Sequence, residues 1–578
     1  MSTIENDHFN RSTDEAAPAD SSGLSRRKFL GGIGGAAAAA MATSVVGLEP
    51  LMNAAATAEA APGGGPSTSL HRSQRSWQIR KDAADFHKGQ GPAVHAVNGD
   101  ETLYPNRIGN YSKGLPHNSW GEVDPNAYQS LLDALDSGDP ADFDAIILGG
   151  PSKLTNPQSG MAFDLEGADA QELTVPAPPA IASAEMGSEG VENYWMALLR
   201  DVNFANYGSN ADVAAACADL NRFGSAFKGP KSGGVVTPQT LFRDPHPGAT
   251  VGPYISQFFY LNTPFGTEYV ERRQRTVLPG TNHLTNYGNW LAAQNGQIVE
   301  SAAGDFDPVR RYIRNGRDLA AWVHIDVLFQ AYFNACLILG TPPSSDPLSG
   351  GIGCPPNPGN PYIGNPTQTG FTTFGPPHFK ALLCEVASRA LKVTWHKKWQ
   401  VSRRLRPENW GGLVHHQVTA NRYPGVIDSR QLDSPALSRV FSQYGTYLMP
   451  MAFAEGCPTH PSYTAGHATV AGACVTILKA LFDENHVIPN PVVPTADGLA
   501  LVPYSGPPLT VGGELNKTAS NVATGRNIGG VHWRSDARES MKAGEALAIS
   551  ILRDQRACYN EPFNGFTFTK FDGTTITV

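Results

Sequence analysis

At 578 residues the chain exceeds the length at which one hydrophobic core usually stops growing, so it holds two large sub-cores or one elaborated domain. With 41% hydrophobic residues, 60 glycines and 45 prolines it reads as ordered and loop-rich, not disordered. A net charge of −8 excludes a general nucleic-acid binder, and any basic site has to be local.

In chain order, residues 1–60 stand apart. In "SRRKFLGGIGGAAAAAMATSVVGL" the pair Arg26–Arg27 precedes a weakly apolar Gly/Ala run, and small-residue cleavage sites such as Ala56-Thr57-Ala58 follow. The segment resembles a twin-arginine signal peptide. It implies export of a folded, cofactor-loaded protein to the periplasm or beyond, without stable membrane insertion. The seven cysteines, Cys217, Cys336, Cys354, Cys384, Cys457, Cys474 and Cys558, lack CxxC spacing, which disfavours a zinc or redox motif. Export leaves disulfides open, and the odd count leaves at least one thiol unpaired in a single chain.

Residues 61–310 read as an N-terminal region of helix and loop, with a helical stretch at "VENYWMALLRDVNFANY". Residues 311–578 read as a mainly α helical bundle with few short strands. There "DLAAWVHIDVLFQAYFNACLIL", Asp318 to Leu339, predicts one helix buried all round. After a Pro/Gly loop, "PPHFKALLCEVASRALKVTWHKKWQ" has Pro at its start and Phe379, Leu382, Leu383, Val386, Ala387 and Leu391 at helical spacing. Further helices are expected from about Gly466 to Phe482 and from about Ala537 to Leu552.

Three segments carry chemistry. In "WHKKWQVSRRLRPENWGG", Lys398 precedes Arg406–Pro407 by eight positions; alone, this reads as a solvated basic helix end. In "CPTHPSYTAGHATVAGACV", Gly466 permits close backbone approach and His467 sits at a helix mouth, where an oxyanion meets exposed N–H groups. In "GRNIGGVHWRSD", Arg526 and His532 are not on one helical face, but "NIGG" can break the helix and turn both inward. His532 and Asp536, at i and i+4, can face each other so that the carboxylate orients the imidazole. A dry cluster of Lys398, Arg406 and Arg526 repels itself unless a multiply charged anion fills its centre, and guanidinium forks match a tetrahedral oxyanion.

With these motifs, and with "GATVGPYISQF", "NWLAAQNGQ", "RDLAAWVHIDVLFQAYFNA", "RRLRPE", "PTHPSY" and "ELNKTASN", the chain resembles the vanadium-dependent haloperoxidases, in particular the algal-type bromoperoxidase branch. The three core motifs are shared with an acid phosphatase class. The resemblance implies the helical-bundle fold of that superfamily with long loops, and a vanadate cofactor bound by Lys398, Arg406, Gly466 and Arg526. It implies His532 as axial vanadium ligand, His467 as acid/base, and His460 and Trp395 beside the halide. Asp326 is expected to hold Arg526. The implied reaction oxidises bromide or iodide with hydrogen peroxide to hypohalous acid, which halogenates small organic acceptors. A homo-oligomer is also implied.

One position departs from the pattern. The family usually has Ser-Gly-His where this chain has Ala465-Gly466-His467, so a hydroxyl toward vanadate is missing. A charge-assisted hydrogen bond of that kind is worth roughly 1.5–3 kcal/mol; Thr464 or a water is the expected substitute. Two other functions fit the motifs: an exported acid phosphatase with His532 as nucleophile, and an oxyanion-binding protein without catalysis.

Overall fold

The computed structural model describes residues 69–299, 304–346 and 348–578. The twin-arginine segment at residues 1–60 lies outside the described residues. Chain up to Gly89 clusters apart from Gln90–Val578, and its described part is a helix, Ser69–Gln90, without a buried residue. Everything below concerns residues 90–578.

Helix α1, Ala184–Leu198, starts where Ser183 Oγ accepts the Met186 N–H at 3.2 Å. It starts and stops earlier than the apolar pattern predicts. Beyond Leu198 the buried Arg200 guanidinium donates to Ile528 O and Pro450 O at 2.8 and 2.7 Å, which ties the chain to a later turn. α1 buries two carboxylates, Glu189 and Glu192, and so presents charge to the interior.

The stretch predicted as one helix from Asp318 to Leu339 is two, α2 (Gly316–His324) and α3 (Gln330–Gly340). Asn315 caps α2 by accepting the Asp318 N–H at 2.9 Å. Between them Ile325 and Val327 are exposed, and Asp326 leaves the helical path because its carboxylate is engaged elsewhere, as described below.

α4, Pro376–His396, follows the predicted apolar stripe and runs into one π-helical turn, Lys397–Ser402. α5 is Pro407–Ala420, α6 Gly466–Leu481, α7 Val511–Ile528 and α8 Arg534–Arg556. All of α6 is buried, because α4, α7 and α8 pack around it. α6 and α8 meet backbone to backbone: a Cβ at Gly472 would lie 2.0 Å from Met541 O, and one at Gly544 2.0 Å from Thr469 O. Any side chain at either position would force the helices apart.

Among the described residues strands are few and short, as expected: three antiparallel pairs, Thr263–Phe265 with Glu268–Val270, Val492–Pro494 with Leu501–Pro503, and Thr567–Thr569 with Thr575–Thr577. The boundary expected near residue 310 is not a break in the core. Met186, Leu220 and Phe258 share one apolar cluster with Leu383, Val475 and Leu547, because α1 and the loops after it pack onto the later helices. No helix among the described residues is long and apolar enough to cross a membrane. None of the seven cysteines is in a disulfide, so no disulfide replaces packing.

Candidate active site

The end of α4, the mouth of α6 and the turn between α7 and α8 converge. The π turn widens the helix after His396, and Arg403 then takes a left-handed conformation (φ 39°) that redirects the chain. The basic run is therefore not a solvated helix end: Lys398, Arg404 and Arg406 are all buried. Arg404 and Arg406 diverge in partners. Arg404 donates to Asp536 at 2.7 Å and Glu189 at 3.0 Å, a paired structural cation. Arg406 reaches the histidines, donating to His460 Nδ1 at 2.9 Å and His532 Nε2 at 3.1 Å.

α7 ends as "NIGG" predicts. Gly530 adopts φ +82°, and the chain turns so that Arg526, on α7, and His532, before α8, face one region. Asp536, in the first turn of α8, accepts the His532 Nδ1–H at 2.8 Å, the Trp533 N–H at 3.1 Å and the Ser462 hydroxyl. That fixes the imidazole with Nε2 as its lone-pair nitrogen on the Arg406 side. Trp395 lies against His460, ring centroids 4.9 Å apart, and Lys398 Nζ is 6.0 Å from the Trp395 ring centre.

Three cations here have no carboxylate partner among the described residues. Lys398 Nζ donates to Pro461 O and Ser462 O, Arg406 to backbone carbonyls and the two histidines, and Arg526 Nη1 to Val323 O at 2.7 Å. Burial, and then the charge of Arg406, pushes the Lys398 ammonium far below its usual range. Burial likewise lowers Arg406, and Arg526 to about 10. His460 and His532 are pushed well below the ordinary imidazole value by burial and the neighbouring cations. Every positive group is disfavoured as charged, and a bound anion would restore them all.

The residues fit an oxyanion on other grounds. Arg526 Nε is buried without a partner. Ala465, the N-cap of α6, gives the helix no side-chain cap, so the first-turn N–H groups stay open to a ligand. Gly466 is demanded neither by a positive φ nor by crowding, since a Cβ there would meet nothing nearer than Trp395 Cζ3 at 3.6 Å. The glycine leaves space. Thr464 Oγ1 is buried and unpartnered, so its hydroxyl is not spent within the protein. Among the described residues no group of three His, Cys, Asp or Glu side chains is placed to hold a metal ion. A single imidazole within a cationic shell suits a metal that carries its own oxygens.

Asp326 makes its hydrogen bond to a different partner from the one expected, while its charge favours the Arg526 cation against burial. Its Oδ1 accepts the His467 Nε2–H at 2.9 Å, whereas Arg526 bonds the Val323 carbonyl. The break after α2 explains both. It frees the Val323 carbonyl at a helix end and swings Asp326 toward α6. Burial lowers the proton affinity of His467, and Asp326 opposes it.

Residues 385–561 match the model of the VCPO second helical-bundle domain, a stretch that contains every site residue above except Glu189, Val323 and Asp326. The vanadium-dependent bromoperoxidases of Corallina pilulifera and Corallina officinalis are each 34% identical to this chain over 600 residues, spanning 88% of it and 98% of their own length. The chain belongs to the vanadium-dependent bromoperoxidase family. The Ascophyllum nodosum vanadium-dependent bromoperoxidase is 33% identical over 85% of this chain and 89% of its own. The homohexameric structure of a second vanadate-dependent bromoperoxidase from Ascophyllum nodosum superimposes with a TM-score of 0.81 at 32% identity, covering 90% of this chain and 95% of that one.

Within this bromoperoxidase-family fold, several supporting residues escaped the sequence reading. Arg404 and Ser462 hold Asp536, Glu189 holds Arg404 from its other side, and Ser540 Oγ accepts the Ala465 N–H at 2.8 Å. Their signal was faint: a second arginine two positions before Arg406, and an acidic residue inside the apolar stretch of α1.

Proposed function

We infer that the chain is a vanadate-dependent bromoperoxidase that oxidises bromide or iodide with hydrogen peroxide to hypohalous acid, which then halogenates small organic acceptors. The observation that carries this reading is the set of three buried cations without carboxylate partners around His532, whose Nδ1–H is taken by Asp536. Lys398, Arg406 and Arg526 would hold the vanadate oxygens together with the Gly466 N–H, and His532 Nε2 would offer its lone pair to vanadium. When bound, vanadate supplies a Lewis-acidic centre that activates hydrogen peroxide toward halide without a change of oxidation state.

His467 handles the proton. Its Nε2–H is fixed on Asp326, so Nδ1 is the nitrogen free to take up and return a proton on the site side. Halide oxidation to hypohalous acid consumes one proton for each peroxide, and a near-buried imidazole beside a carboxylate can deliver it. His460, held neutral and packed on Trp395, forms the wall that a halide would meet.

Two further readings accompany this one. The Arg26–Arg27 segment supports export by the twin-arginine route, and the homohexameric relative supports a homo-oligomer. The deciding experiment strips the protein of oxyanion, refills it with vanadate and compares iodide, bromide and chloride oxidation with peroxide at steady state. Oxidation of iodide and bromide is expected. Turnover of phosphate esters without vanadate, with no halide oxidation, would replace this reading by the phosphatase one.

A further inference from the structure

Arg526 is anchored unlike its two neighbours. Arg406 is held by five hydrogen bonds and Lys398 by two carbonyls, but Arg526 makes one, to Val323 O. Its second anchor is an aromatic face: Cζ lies over the Phe453 ring, 5.4 Å from the centroid.

That ring is itself fixed. His324 stacks on it with centroids 3.8 Å apart and planes 10° from parallel, and the His324 Nε2–H is held by Glu455 Oε1 at 2.6 Å. Phe453 is buried, and a Cβ at Gly529, in the turn after Arg526, would come within 2.9 Å of its Cζ. The ring is therefore wedged between the end of α2 and the end of α7.

We propose that Phe453, braced by His324 and Glu455, is a positioning residue that holds the Arg526 guanidinium through its ring face while leaving its N–H groups free for the bound oxyanion. A guanidinium has five N–H donors. A carboxylate partner would neutralise the charge and occupy two of them, whereas an aromatic face attracts the cation and occupies none. The inference rests on the reading that Arg526 binds the oxyanion.

The test measures vanadate affinity of the full-length protein by equilibrium dialysis, with inorganic phosphate as a second probe. Phe453→Leu removes the π face. Replacing Phe453 by 3,4,5-trifluorophenylalanine keeps the ring's shape and weakens only its electrostatic face, so it reports on the interaction even where the leucine variant folds poorly. Both are expected to weaken vanadate binding about 3- to 30-fold, the range of a desolvated cation–π contact. In an Arg526→Lys background the fluorinated ring is expected to change affinity much less, because the site no longer presents a guanidinium fork. Unchanged affinity on fluorination, with Arg526→Lys still weakening binding, overturns the positioning role. If Arg526→Lys itself leaves vanadate affinity intact, the underlying reading of Arg526 fails and takes this inference with it.

Discussion

Asp536 Oδ2 accepts the Nδ1–H of His532 at 2.8 Å while Oδ1 is bound by Arg404 at 2.7 Å, so one carboxylate couples the imidazole to a structural cation. Burial alone would raise the Asp536 pKa, but Arg404, His532 and Ser462 hold the carboxyl well below its usual range, and it stays ionised. Asp536→Asn places an amide where four donors already point, from His532, Trp533, Ser462 and Arg404. Losing the carboxylate that orients a ligand imidazole costs about 10- to 100-fold in affinity, and vanadate binding is expected to weaken by that much in equilibrium dialysis. The melting temperature falls as well, since Arg404 keeps one carboxylate, Glu189, in place of two.

Ala465→Ser restores the hydroxyl usual in the family. A new charge-assisted hydrogen bond worth roughly 1.5–3 kcal/mol tightens vanadate retention about tenfold or more. A serine N-cap has a competing partner, the open first-turn N–H groups of α6, where capping adds about 0.5–2 kcal/mol of stability. Slower vanadate loss on dialysis is the expected result. A higher melting temperature with unchanged vanadate loss would show that the hydroxyl caps the helix instead.

The cage was legible because its residues obey local rules. Lys398 and Arg406 flank a helix end, Gly466–His467 opens α6, and "NIGG" turns Arg526 and His532 inward. What escaped was tertiary. From Asp318 to Leu339 every local preference favours one helix, and the break is accompanied by contacts distant in sequence, Asp326 with His467, 141 positions apart, and Val323 O with Arg526. Arg404 and Arg406 look alike in sequence, and they are separated by Glu189, a carboxylate 215 positions from Arg404. Buried ion pairs of this range leave no periodic trace.

Asp326→Asn tests the proton role of His467. Burial depresses the imidazole's proton affinity and the Asp326 carboxylate opposes that depression, so removing the charge lowers the His467 pKa further. At a fixed pH less of the protonated form is available. The alkaline limb of the pH–rate profile, where His467 gives up its proton, is expected to move to lower pH and kcat at neutral pH to fall about tenfold or more, within the range general acid–base catalysis supplies. Vanadate affinity, set mainly by the three cations, changes far less than kcat. Equal losses in both would assign Asp326 to cofactor binding rather than to proton handling.

Three histidines outside the site set the stability profile in mild acid. His117 is pushed down to about 4 by burial, with Nδ1–H on Leu115 O at 2.7 Å and Nε2 toward Ser112 Oγ at 2.9 Å. His396 and His416 are also lowered to about 4, first by burial and then by Lys397 and His415 respectively. The unfolded chain binds these protons once pH drops below about 6.5, while the fold refuses them until about 4. Stability is therefore full above pH 6.5 and is lost as pH falls through that window, by at most about 1.4 kcal/mol per pH unit for each proton that the fold refuses. Urea unfolding midpoints at pH 7, 6 and 5 measure the slope. His117→Gln, which cannot titrate, is expected to flatten it by about one proton even though it lowers stability at pH 7; an unchanged slope would mean that His117 takes up its proton in the folded state.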